Sequence, residues 1–344
     1  MNNQENTLYD RPDGGEWRCE ERGVYSVLDH GYVHVVESWG SDQQIIESAR
    51  MSTDKGFLGW GPKCKECGLS WPDRPDSCTN DALRDDTLHD DGPGDEKLLR
   101  YLYENKHSTP FEFAGLTIEV QAPLMVFREW HRHRVPFGYS EMSARYVQMP
   151  NLHYVPSVQR IIDSAKKSVN KQASGGGALD FPGFFSEGLP ERRDVQMAKE
   201  IRHQIQAEQL QIYDFYENML SWGVSKEIAR LDTPVSRYSR MRATGNLRGW
   251  LGFLTLRMAP GAQFEIRQFA HCVADVVATT FPRTYELFNE GMKPILDPES
   301  VDTPEKAWAR GASLMRAAFH QHAPLGDNDP LWEISIPEYK RPEP

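Results

Sequence analysis

The sequence has few cysteines and no long apolar run. None of its apolar stretches approaches the roughly 20 residues that a membrane-spanning helix requires. Residues 1–16 are polar and acidic, whereas a secretory signal peptide is basic and then apolar. The five cysteines are an odd number, which argues against a disulfide framework and for reduced thiols or a metal site. We therefore expect a cytoplasmic protein that does not bind membranes.

The chain also has fewer basic than acidic residues. The chain has 39 Lys and Arg against 50 Asp and Glu, and its formal net charge is -11. The molecule as a whole therefore repels nucleic acids and anionic lipid surfaces. A site for an anion must be a local pocket, and a broad nucleic-acid-binding surface is not expected.

The spacing of apolar residues predicts an α+β fold, with an antiparallel or mixed sheet packed against long helices. Strands are predicted at residues 32–37 and 116–120, since Leu116, Ile118 and Val120 alternate with polar side chains. Ser41 begins a capping box that opens a helix reaching Ala49. Further helices are predicted at residues 96–105, 197–222, 247–259 and 262–280.

The segment RHRVPFGYSEMSARY, residues 132–146, is the most informative part of the chain. It places three arginines, a histidine, a carboxylate and two serines around a Pro/Gly loop. Guanidinium groups recognise phosphate through planar, bidentate hydrogen bonds, so this pattern predicts a pocket for a nucleotide or dinucleotide. The alternative is a solvated helix face with ordinary ion pairs. The apolar segment before it, in which Leu124, Phe127 and His131 share a face, indicates instead that the motif lies where a buried helix reaches the surface.

This segment resembles the signature of the flavin-dependent thymidylate synthase family, Arg-His-Arg followed by Asn-Glu-x-Ser-x-Arg-Tyr. Further pieces resemble the family in the same order between about residues 32 and 280: ARMS at 49–52, HSTPFE at 107–112, ARLDTP at 229–234, NLR at 246–248, LR at 256–257 and AQFEIR at 262–267. The chain departs from the family at four positions. In addition, the spacer between Arg134 and Glu141 is one residue longer than in the family. Those four are Glu129 for glutamine, Ser140 for asparagine, Gly252 for asparagine and Gly261 for histidine.

The resemblance implies reductive methylation of dUMP to dTMP, with FAD as cofactor and with methylenetetrahydrofolate and NADPH as co-substrates. It also implies a homotetramer whose sites form at subunit interfaces. By resemblance, Arg257 is the catalytic residue that binds and polarises the pyrimidine. The implied dUMP-binding residues are Glu129, Glu141, Ser143, Arg145, Arg230 and Arg257. The implied FAD-binding residues are Ser52, His107, Thr109, Glu112, Arg132, His133, Arg134, Asn246 and Arg248.

The cysteines do not supply a nucleophile for this chemistry. In the classical thymidylate synthases a cysteine in a Pro-Cys-His setting attacks the ring, and none of the five cysteines here lies in such a setting. Cys272 lies among Phe269, Val273 and Val276 on an apolar helix face, which predicts a packed core thiol. A reduced flavin supplies the reduction without a protein nucleophile.

Two other functions fit parts of the sequence. The departures from the family pattern allow an enzyme that modifies another pyrimidine nucleotide or releases a hydroxymethyl product. A non-enzymatic nucleotide-binding or nucleic-acid-binding protein would also use a basic loop, although the net negative charge argues against it.

Cys64 and Cys67, followed by Gly68 and then Cys78, are typical of a zinc knuckle. His89 or Cys19 could supply the fourth ligand of a closed structural site. The alternative is three unrelated thiols in a loop. We expect one catalytic domain over residues 1–344, with this insertion at about 56–95, a flexible excursion at about 159–193 and a tail from about 323.

Overall fold

The computed structural model of the chain describes residues 19–20, 24–60, 94–166, 175, 177, 179 and 190–296. The strands in these residues are β1 (Cys19–Glu20), β2 (Val24–Val27), β3 (Gly31–Trp39), β4 (Gly115–Pro123), β5 (Gly138–Glu141) and β6 (Tyr238–Asn246). They form one antiparallel sheet in the order β1-β2-β3-β4-β6-β5. The antiparallel sheet with its long helices confirms the predicted α+β class.

The described residues also form helices. They are α1 (Asp42–Arg50), α2 (Asp95–Glu104), α3 (Leu124–Trp130), α4 (Val158–Ala165), α5 (Pro190–Ser221), α6 (Lys226–Ala229), α7 (Leu247–Arg257), α8 (Phe264–Thr280) and α9 (Pro282–Leu296). The described residues also include 3-10 helices at Met51–Thr53 and Thr109–Phe113.

One face of the sheet forms the core. Val33, Ile118 and Ala243 come from three neighbouring strands and have no exposed surface. Helices α7 and α8 pack against these strands, and Phe253 of α7 stacks on Trp130 of α3 with ring centroids 4.7 Å apart. Each large apolar side chain removed from water in this way contributes roughly 1.5–3 kcal/mol to folding.

The other face of the sheet is polar. Tyr32 donates a hydrogen bond to Oε1 of Glu119 at 2.9 Å, and the Nε of Arg242 lies 3.4 Å from the second oxygen of that carboxylate. Arg240 and Arg242 are both exposed. The alternation of buried and exposed side chains along β4 and β6 therefore separates an apolar interior from a charged outer surface.

The pairing of β4 with β6 positions the site. The two strands are paired over nine residues, from Gly115 opposite Asn246 to Pro123 opposite Tyr238. Each strand continues directly into a helix, α3 after Pro123 and α7 after Asn246. Since the strands are antiparallel, the two helices begin at opposite ends of the sheet and both pack back on β4. The last residue of α7 thereby reaches α3.

The predicted helices are confirmed, with shifts at their ends. Ser41 caps α1, and its hydroxyl accepts a hydrogen bond from the Gln44 amide at 3.2 Å. Helix α5 begins at Pro190, seven residues before the predicted start at Met197. Cys272 is fully buried, as expected for a core thiol, and burial raises its pKa.

The prediction of a flexible excursion at residues 159–193 is wrong at both ends. Helix α4 lies inside its first part, and α5 has begun by Pro190. An ion pair between Arg160 and the buried Glu265 attaches α4 to α8, with Nε and Oε1 2.9 Å apart. The expected loop between Arg134 and Glu141 also contains a strand, β5, and strand β6 and helix α9 were not predicted at all.

The predicted zinc ligands lie outside what the structure describes. This is true of Cys64, Cys67, Cys78 and His89, and only the backbone of Cys19 is described. In the described ranges, no group of three or more His, Cys, Asp or Glu side chains could hold a metal ion. No helix in those ranges is long and apolar enough to cross a membrane.

Candidate active site

Arg257 joins the end of α7 to the end of α3. Its Nη1 donates to Oε2 of Glu129 at 2.9 Å, its Nη2 donates to the Glu129 carbonyl at 2.9 Å, and its Nε donates to Nε2 of His133 at 3.0 Å. A guanidinium has five N–H groups, so two remain on the terminal nitrogens for another acceptor. The side chains of Arg257 and Glu129 are 17% and 25% exposed, which leaves the pair accessible from solvent.

The bond from Arg257 also sets the protonation of His133. Because arginine can only donate, Nε2 of His133 must accept and carries no proton. The imidazole is buried, with its ring edge against Phe253 at a centroid distance of 5.0 Å. Tyr139 holds the same residue from the other side, since its hydroxyl donates to the His133 carbonyl at 2.6 Å.

Burial shifts the pKa values of both partners in the Arg257–Glu129 pair. It raises the pKa of Glu129, and the positive charge of Arg257 opposes that rise. It lowers the pKa of Arg257, and the carboxylate of Glu129 opposes that fall. Arginine starts so far above neutral pH that Arg257 stays charged. The site therefore holds a positioned cation next to a carboxylate of increased basicity.

Glycines allow the loop after α3 to pack tightly on β6 and α7. A Cβ at Gly249 would lie 2.4 Å from Cδ of Pro136, and one at Gly245 would lie 2.7 Å from the ring of Phe137. Phe137 stacks in turn on Tyr139, with centroids 5.7 Å apart. This packing fixes the loop that carries the Arg-His-Arg motif.

The segment that contains Ser140 and Glu141 borders a cleft on the polar face of the sheet. Glu141 is the last residue of β5 and is paired with Met241 of β6. The cleft has a volume of about 240 Å³ and is lined by Glu119, Ser140, Glu141, Met142, Arg240, Met241 and Arg242. Two exposed arginines next to two carboxylates suit a ligand that has both anionic and donor groups.

The other arginines of the predicted nucleotide site lie on either side of α6. Arg145 forms an ion pair with Glu227 of α6, with Nη2 and Oε2 3.4 Å apart. Its backbone N–H donates to the hydroxyl of Ser143 at 3.3 Å. Arg230 caps the other end of that four-residue helix. The loop of Ser143 and Arg145 and the Arg230 turn are therefore neighbours.

Three of the predicted flavin-binding residues meet at the start of α7. Arg248 forms an ion pair with Glu112, and Asn246 caps the helix by accepting from the Gly249 amide at 3.0 Å. The 3-10 helix that carries Thr109 and Glu112 packs against both α1 and α7.

The remaining predicted flavin-binding residues are mostly exposed. Ser52 lies just after α1 and donates to the Ala49 carbonyl at 3.0 Å. The His107 ring packs edge-on against Tyr101 at 5.5 Å. Arg132 and Arg134 lie exposed on the loop after α3.

Several residues near these groups were not predicted. Tyr139 holds His133, and Glu119, Arg240 and Arg242 line the cleft. The sequence does contain a signal for the cleft arginines. Met241 and Ala243 alternate with Arg240, Arg242 and Thr244, which is the period of a half-buried strand.

Comparisons with known proteins show which family the chain is similar to. The chain is 29% identical over 309 residues to a flavin-dependent thymidylate synthase of Thermus thermophilus, covering 86% of this chain and 94% of that protein. It is 30% identical to the flavin-dependent thymidylate synthase of Wolbachia pipientis, covering 77% and 76%. The family model described as thymidylate synthase complementing protein matches residues 34–283. The chain belongs to the flavin-dependent thymidylate synthase family.

Solved structures include one of similar fold in which a pyrimidine nucleotide analogue is bound. It is a UMP/dUMP methylase, PolB, from Streptomyces cacaoi, with 5-Br dUMP. The TM-score is 0.55 at 25% identity, and the match covers 77% of this chain and 97% of that one. The family match spans every predicted substrate-binding and flavin-binding residue, from Ser52 to Arg257.

Proposed function

We propose that this protein is a thymidylate synthase that methylates dUMP to dTMP, with methylenetetrahydrofolate as carbon donor and NADPH as reductant. The observation that carries the proposal is the junction of Arg257 with Glu129 and His133. These residues come from two family motifs separated by more than 120 positions, and the fold places them in direct contact. Membership of the family supports the same conclusion.

The residues present fit a bound FAD. Arg132 and Arg134 are exposed guanidiniums on one loop, and His107 and Thr109 add exposed polar groups. This donor set matches a cofactor with two phosphates. When bound and reduced, the flavin would supply the hydride that completes the methyl group.

The chain's own residues bind and polarise the nucleotide. Arg257 donates its two remaining N–H groups to a carbonyl oxygen of the pyrimidine and stabilises negative charge that develops there. Glu129 and His133 hold the guanidinium in one orientation, which reduces the reorganisation needed during the reaction. Glu141, Ser143, Arg145 and Arg230 bind the sugar and phosphate.

The test is product analysis by mass spectrometry. Purified protein is incubated with FAD, NADPH, methylenetetrahydrofolate and dUMP, and each component is omitted in turn. A product with the mass of dTMP that requires all four additions supports the proposal. A hydroxymethylated product, or no product with dUMP, contradicts it.

A second candidate is methylation of UMP. It is favoured by the similar structure, which belongs to a UMP/dUMP methylase. The same assay with UMP and with dCMP in place of dUMP separates these substrates. A kcat/KM for UMP at least equal to that for dUMP would establish the second candidate.

A further inference from the structure

Arg237 carries a buried charge that forms no ion pair in the described part of the chain. Only 5% of the residue is exposed, and neither its Nε nor its Nη1 has a hydrogen-bond partner in the described residues. Burying a guanidinium without an acceptor is costly. A fold that keeps such a residue therefore favours an anion that is supplied from outside the described chain.

The backbone holds Arg237 in place. Its N–H donates to the Pro234 carbonyl at 3.1 Å, and its carbonyl accepts from the Leu124 amide at 3.0 Å. It also forms a β-bridge with His153. These main-chain bonds fix the backbone position from which the guanidinium extends.

The neighbours of Arg237 belong to the proposed nucleotide site. Burial lowers the pKa of the Arg237 guanidinium, and the positive charge of Arg230 lowers it further. Glu141 and Tyr216 act in the opposite direction and raise it. Neither Nε nor Nη1 of Arg237 donates a hydrogen bond to Glu141. The Tyr216 hydroxyl accepts a hydrogen bond from the Met149 amide at 3.2 Å.

We propose that Arg237 is a further nucleotide-binding residue, and that its guanidinium binds the phosphate of the pyrimidine nucleotide together with Arg230. The inference rests on the proposed function and adds a third arginine to Arg145 and Arg230. Two facing N–H groups of a guanidinium match two oxygens of a phosphate. An interaction formed away from water is also stronger than one made by an exposed arginine.

The test compares a nucleotide with the nucleoside that lacks its phosphate. Binding of dUMP, deoxyuridine and inorganic phosphate is measured by calorimetry for the full-length protein and for Arg237→Met. We expect Kd for dUMP to rise by about 10- to 100-fold, with little change for deoxyuridine. The matched control is Arg267→Met on α8, which removes a partly buried arginine whose Nε also lacks an acceptor among the described residues and which should leave both affinities unchanged.

Arg237→Lys is a second variant that separates a loss of phosphate binding from a loss of folding. It keeps the charge but not the planar fork, and it should retain the wild-type melting temperature while losing several-fold in affinity for dUMP. Equal losses for dUMP and deoxyuridine in both variants would indicate a structural role and overturn the inference. Unchanged dUMP affinity in Arg237→Met would overturn it as well and leave the proposed function standing. If the wild-type protein bound none of dUMP, UMP and phosphate, the proposed function and the role of Arg237 would both fail.

Discussion

Arg257 is the residue on which the proposed chemistry depends most. We expect Arg257→Ala to lower kcat about 100-fold or more, the loss seen when one positioned donor is removed from a developing negative charge. Bound flavin should be retained, because Arg257 is not among the residues proposed to hold it. Steady-state formation of dTMP and the flavin absorbance spectrum measure the two effects.

Arg257→Lys is the informative companion to that variant. A lysine preserves the charge but cannot bond Glu129 and His133 in the same geometry as a guanidinium. It should therefore recover only a small part of kcat. Wild-type turnover in either variant, with an intact melting curve, would remove Arg257 from the mechanism.

At the scale of elements, the Arg160–Glu265 pair fastens α4 to α8. Burial would raise the pKa of Glu265, but the hydrogen bond and charge of Arg160 outweigh it and the pKa is lowered. Tyr154 donates to the same carboxylate at 3.1 Å. Arg160→Met would leave a buried carboxylate without its cation, at a cost of about 3 kcal/mol.

Thermal unfolding measures that cost. A loss of about 3 kcal/mol corresponds to a fall in Tm of roughly 4–5 °C in a chain of this length. The control is Lys166→Met, next to α4, which breaks an exposed pair with Asp163 and should change Tm very little. If the two variants had the same Tm, the Arg160–Glu265 pair would not be what attaches α4 to α8.

Asp275 on α8 gives a pH-dependent prediction. Burial raises its pKa to about 6, above the ordinary value near 3.9 in an unfolded chain. The folded state therefore binds this proton more tightly, and ionisation of Asp275 destabilises the fold as pH rises through about 6. Asp275→Asn removes that penalty, so it should raise Tm at pH 8, by a few °C at most because the residue is exposed to solvent, and have little effect at pH 4. An equal change at both pH values would contradict the assignment.

At the scale of the whole molecule, we expect four copies of the 39.4 kDa chain and sites shared between them. Light scattering should give a mass of about 160 kDa. Arg257→Ala and Arg145→Ala should each be inactive alone, whereas co-expressed chains should recover about one quarter of the activity if a site takes these residues from two different copies. No recovery from a mixed tetramer would place both residues in one chain.

The sequence predicted the local structure of this protein well, for physical reasons. Strand β4 was predicted because Leu116, Ile118 and Val120 alternate with polar residues, and α1 because Ser41 supplies the cap that its first turn needs. The segment from Arg132 to Tyr146 stands out because guanidinium groups are suited to anions, and Arg257 stands out because the residues around it resemble the family. These signals are carried by residues near one another in the chain, so they can be read without the fold.

The tertiary structure alone decided which of those residues meet. The bonds of Arg257 to Glu129 and His133 depend on the nine-residue pairing of β4 with β6, and β6 had not been predicted. The burial of Arg237 and the attachment of α4 through Glu265 likewise depend on elements distant in sequence. Such contacts form only when the strands pair and the helices pack on the sheet. Burial and strand pairing are properties of the assembled core, so no short segment of sequence encodes them.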